Sequence, residues 1–92
     1  MTVTGILIIE DESEIAALIA LNLTRAGFAS KSVGSGEDGL VCIAQQTPEL
    51  VILDLMLPGI DGLEVCRRLK YDEQTRHVPI IMVTARGEEA DI

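Results

Sequence analysis

At 92 residues the chain has room for one domain, and with 48% apolar residues but a single Phe and a single Tyr its core must be aliphatic. A formal net charge of −8, with seven Lys and Arg that form no run, excludes the clustered cationic surface that nucleic acid or an anionic membrane requires. No run spans a bilayer and the first apolar stretch lacks a basic leader, so a cytoplasmic location is expected, with the widely spaced Cys42 and Cys66 as buried, reduced thiols.

The first element is "GILIIE", Gly5 to Glu10, an Ile-rich apolar run ending in acid that reads as a buried strand. A helix follows, with Ile15, Leu18, Ile19 and Leu23 at helical spacing, Ser13 as its cap and Gly27 at its end. "FASKSV", Phe28 to Val33, alternates and carries Lys31, which marks an edge strand. Ser35 and Asp38 have the spacing of a capping box for a helix through Leu40, Ile43 and Ala44 that stops before Pro48. "LVILD", Leu50 to Asp54, is a second buried strand. Asp61 and Glu64 then start a helix through Leu63, Cys66 and Leu69. "YDEQTRH" is a polar loop in which His77 is solvent-exposed. "VPIIMVTA", Val78 to Ala85, is a fourth strand, with Pro79 near its start and Met82 in the core.

Strict alternation of strand and helix predicts an α/β fold: a parallel sheet with helices on both faces. Only the second strand looks like an edge, so the simplest order is 2-1-3-4, the start of a flavodoxin-like sheet, and right-handed crossovers put the first helix on one face and the next two on the other. That order leaves the fourth strand uncovered on its outer side. Either the chain is a piece of a larger unit, or a second copy supplies the cover by swapping.

Ligands of open parallel sheets bind at the carboxyl ends of the strands, where the order reverses. Here that place collects Glu10 and Asp11 from the first strand, Asp54 from the third and Thr84 from the fourth. Two carboxylates about 4 Å apart repel by about 4 kcal/mol at an effective dielectric near 20, so such a cluster wants a divalent cation, and an all-oxygen set with room for water suits Mg²⁺. Asp54 can also attack phosphorus to form an acyl phosphate, while a hydroxyl such as Thr84 donates to a phosphoryl oxygen. Glu12 and Glu14 fit the first turn of the following helix better than the site.

The blocks "LIIEDE", "VILDLMLPGIDGLEV" and "VPIIMVTAR" together resemble the receiver domain of two-component response regulators over all 92 residues, and "MLPGIDG" with "TARGEE" resembles the winged-helix-coupled, phosphate-regulon-type branch. The resemblance implies that Asp54 accepts a phosphoryl group from a sensor histidine kinase. It implies that Glu10, Asp11 and Asp54 hold Mg²⁺ together with the backbone carbonyl of Met56. Thr84 would be the switching hydroxyl, Ala85 the small residue that leaves the phosphoryl group room, and Pro58-Gly59 the turn after the acceptor. Residues 1–92 would then be the N-terminal portion of the domain, with the last strand, its lysine and the final helices missing. Lys31 and Lys70 precede the fourth strand and do not replace that lysine. Such a module is a phosphoacceptor and not a turnover enzyme, and it controls an output, transcription for this branch.

Other readings stand beside it. The chain could be a folding fragment, or a homodimer swapped through the fourth strand, with no phosphotransfer. A phosphohydrolase using an aspartyl phosphate would want an acid two residues after Asp54, where the chain has Met56. A flavin-binding module would want phosphate donors where "EDESE" repels phosphate.

Overall fold

The computed structural model describes residues 5–83. They form β1 (Ile6–Ile9), α1 (Ser13–Arg25), β2 (Ser30–Val33), α2 (Gly36–Gln45), β3 (Leu50–Asp54), α3 (Gly62–Tyr71) and β4 (Ile80–Val83). All strand pairs are parallel and the order is β2-β1-β3-β4. Register aligns Ile9 with both Val33 and Leu53, and Asp54 with Val83.

Alternation along β1 and β3 explains two unequal faces. Leu7, Ile9, Val51 and Leu53 join Ile43 of α2 and Val65 and Leu69 of α3 in the main core. Ile6, Ile8 and Ile52 point the other way, toward α1, which fully buries only Ala16 of its own residues. Close approach of backbone substitutes for bulk on the α2–α3 side. A Cβ on Gly39 would lie 2.4 Å from the Ile9 Cδ1, and one on Gly36 would crowd Val65 and Ile60.

Turn chemistry sets the element ends. The Ser35 hydroxyl accepts from the Asp38 N–H at 3.0 Å, and the Asp61 carboxylate accepts from the Glu64 N–H at 2.9 Å. α1 ends in a Schellman arrangement: the Gly27 N–H donates to the Thr24 carbonyl and the Phe28 N–H to the Leu23 carbonyl, with Gly27 at φ +93.

Several expectations are corrected. Ser13 does not cap α1; it is the first helical residue, and Glu12 is the N-cap with no side-chain capping bond. Phe28 and Ala29 precede β2, because Phe28 completes the end of α1. On α3 the buried stripe is Gly62, Val65 and Leu69, and Leu63 faces outward at 61% exposure. Leu18 of α1 is likewise exposed, so the apolar stripe of that helix is narrower than its spacing implied. β4 starts at Ile80 instead of Val78, because the Val78 N–H turns back to the Thr75 carbonyl and Pro79 has none to offer. Met82 is not in the core: it and Ile81 are exposed on a strand that pairs, among the described residues, with β3 alone. Thr75 in the polar loop is buried and donates its hydroxyl to the Leu69 carbonyl at 2.6 Å. Cys42 and Cys66 are free thiols, half-buried and not fully so. The expected fourth-strand residues Thr84 and Ala85 lie outside the described residues.

Candidate acidic site at the strand ends

β1 and β3 run side by side, and each breaks from the sheet at a carboxylate. The Glu10 N–H still donates to the Val33 carbonyl at 3.1 Å, and the Leu55 N–H donates to the Val83 carbonyl at 2.8 Å. These bonds tie the end of β1 to β2 and the end of β3 to β4 just where the sheet stops. Glu10 and Asp54 are both buried, at 3% and 0% exposure, and Asp11 is half-buried.

One oxygen from each of Glu10, Asp11 and Asp54 falls within 4.8 Å of the other two. Local backbone donors orient two of the three side chains. The Met56 N–H donates to Asp54 Oδ1 at 3.0 Å, and the Glu12 N–H donates to Glu10 Oε2 at 2.9 Å. The other Glu10 oxygen, Oε1, is shut away from water with no N–H or O–H donor to it among the described residues. Burial pushes the Glu10 carboxyl up to about 7, the nearby Asp54 and Asp11 charges push it the same way, and the Glu12 amide pulls it partly back. An all-oxygen cluster with a buried acceptor lacking a donor suits a hard divalent cation, which would offset this repulsion.

The sequence placed Glu10, Asp11 and Asp54 together, and they are together. Met56 sits on the following loop with its side chain exposed, and Pro58 and Gly59 are also exposed, Gly59 at φ +72. Lys70 lies at the far end of α3, where its ammonium donates to the Arg76 and Val78 carbonyls at 3.1 Å each, and Lys31 is exposed on the β2 edge. Two residues that shape the loop escaped sequence reasoning. The Glu37 carboxylate accepts from the Ile60 N–H at 3.4 Å, and Gly62 of α3 seats against the Asp54–Leu55 backbone. A cavity of about 300 Å³ opens at the opposite end of the sheet, between Gly5, Ala29, Lys31 and Gln45; no carboxylate lines it.

Residues 6–92 match the response regulator receiver domain family. The transcriptional regulatory protein AfsQ1 of Streptomyces coelicolor is 47% identical over 88 residues, covering 96% of this chain and 38% of that protein. The phosphate regulon transcriptional regulatory protein PhoB of Rhizobium meliloti is 42% identical over 86 residues, covering 94% of this chain and 38% of that protein. The chain therefore spans well under half the length of either relative. Among solved structures, the Mn²⁺-bound form of the response regulator Rcp1 superposes with a TM-score of 0.77 at 26% identity, over 95% of this chain and 69% of that one. No described helix is long and apolar enough to cross a membrane. The parallel order, the acids at the strand ends and these matches agree: the chain belongs to the response regulator receiver domain family.

Proposed function

We propose that this chain is the phosphoacceptor part of a two-component system, with residues 1–92 belonging to a receiver domain and Asp54 as the acceptor of a phosphoryl group from a sensor histidine kinase. The observation that carries the reading is the convergence of Glu10, Asp11 and Asp54 within 4.8 Å, with Asp54 fully buried yet aimed by the Met56 amide. In the transfer, an Asp54 carboxylate oxygen forms a bond to phosphorus as the phosphorus–nitrogen bond of phosphohistidine breaks, and the imidazole leaves with the electron pair. Glu10, Asp11 and Asp54, with the Met56 carbonyl, would hold Mg²⁺. That ion, when bound, would neutralise charge on the transferring group. The Mn²⁺-bound state of Rcp1 supports a divalent cation as the resident ion.

Thr84 would read the acyl phosphate through its hydroxyl, Ala85 would leave the group room, and the altered surface would control transcription, as the names of AfsQ1 and PhoB suggest. The module works in the cytoplasm, touches no DNA itself and turns over only its own phosphate. A phosphohistidine donor with Mg²⁺ should label the chain with acid- and alkali-labile phosphate. Asp54→Asn should abolish labelling, and labelling at the wild-type rate in that variant would exclude Asp54 as acceptor.

A second reading is self-association through β4, favoured by Ile81 at 50% exposure on a strand paired on one side among the described residues. Sedimentation over a hundredfold range of concentration tests it: a mass rising toward the dimer supports it, and a constant monomer mass excludes it.

A further inference from the structure

We propose that Gly62 is a positioning residue for the acidic site: α3 starts directly on the backbone of the acceptor strand, and that seat holds the amide that aims Asp54. The inference rests on the metal-binding reading above and adds a residue to it.

Gly62 is the first residue of α3 and is buried. A Cβ there would stand 2.4 Å from the Asp54 carbonyl oxygen, 2.8 Å from the Leu55 Cα and 3.1 Å from the Asp54 carbonyl carbon. All three are backbone atoms, so no rotamer change relieves the clash. The Gly62 N–H also donates to the Leu55 carbonyl at 3.1 Å, so the contact is held as well as close. Leu55 is fixed from the other side by its own N–H on the Val83 carbonyl at 2.8 Å. The next residue, Met56, supplies the N–H that donates to Asp54 Oδ1 at 3.0 Å. A displacement of Leu55 therefore passes through one peptide unit to the donor that orients the carboxylate. The helix end itself is anchored independently, by the Asp61 side chain on the Glu64 amide. What glycine contributes here is the absence of a methyl group, not left-handed backbone freedom. The loop is bounded at its other turn by the Glu37 carboxylate beside Gly59 and Ile60, so it has little slack to absorb the shift.

The test compares Gly62→Ala with Leu69→Ala in the whole chain. Leu69 is buried on the same helix, away from the strand end, so its truncation reports loss of α3 packing without touching Leu55. Mn²⁺ affinity is read by the relaxation enhancement of solvent water. Gly62→Ala should weaken it at least tenfold, and Leu69→Ala should leave it within twofold when both are measured folded in stabilising sucrose. Equal affinities in the two variants would overturn the proposal while leaving the metal site standing. A wild-type chain that binds no Mn²⁺ would overturn both. Should Gly62→Ala not fold, wild-type hydrogen exchange decides. Coupling is reciprocal, so Mg²⁺ should slow exchange of the Gly62 amide at least threefold more than that of the Thr75 amide. Equal slowing at the two amides would overturn the proposal.

Discussion

In the folded chain Glu10 is out of water with Asp54 beside it, and its carboxyl is pushed up to about 7 from 4.5. The folded state therefore holds a proton between about 4.5 and about 7 that the unfolded chain has released. Stability must fall as pH rises through that window, because the native state binds more protons there. Urea unfolding without divalent ions should show a lower midpoint at pH 8 than at pH 5, and Glu10→Gln should flatten that contribution. A midpoint insensitive to Glu10→Gln at both pH values would contradict the assignment. Cation binding runs the other way: it needs the carboxylate, so Mg²⁺ affinity should rise as pH passes about 7. The three acids were legible in the sequence because each ends or follows an apolar run, where a charge has no packing role. Gly62 and Glu37 were not legible, since one acts through a missing methyl group and the other through a loop amide 23 residues away in sequence.

At the scale of the element, β3 was read to its ends because Leu50 to Asp54 is apolar on both faces and closed by a carboxylate. Helix starts with a side-chain acceptor three residues before a free amide were equally readable at Ser35 and Asp61. Each cap is worth about 1 kcal/mol, so Ser35→Ala and Asp61→Ala should each lower the urea midpoint correspondingly with an unchanged slope. α1 was misread at Ser13 because the acidic turn enters the helix through Glu12, whose own N–H is engaged by Glu10. On α3 the expectation fails at Leu63 alone, while Leu69 is buried and Cys66 packs against the core as expected. Leucine at position 63 looks like core, but the glycine before it must face the strand end, and rotation of about 100° per residue carries Leu63 outward. Leu63→Ala should change stability by less than about 0.5 kcal/mol, whereas Leu69→Ala should cost about 2–5 kcal/mol. Calorimetry on the pair that ranks them the other way would restore the first reading of the helix.

For the whole molecule, the 2-1-3-4 order followed from a single edge-like strand among strands that read as buried, which is visible in sequence. The open outer side of β4 was expected from that order, but the exposure of Met82 was not, because apolar patterning reports what a strand can bury and not what is present to cover it. The sheet brings together acids separated by more than forty residues, and their meeting is the claim on which the functional reading depends. The most direct test is a Mn²⁺ titration of the isotopically labelled chain followed by amide line broadening. The signals of Asp11, Asp54 and Met56 should vanish together at the lowest Mn²⁺ ratios, before those of Gly5, Ala29 and Glu49 at the opposite end of the sheet, and Asp54→Asn should remove the effect. Broadening of Asp11 without Asp54, or an unchanged pattern in Asp54→Asn, would show that the three carboxylates do not form one cation site.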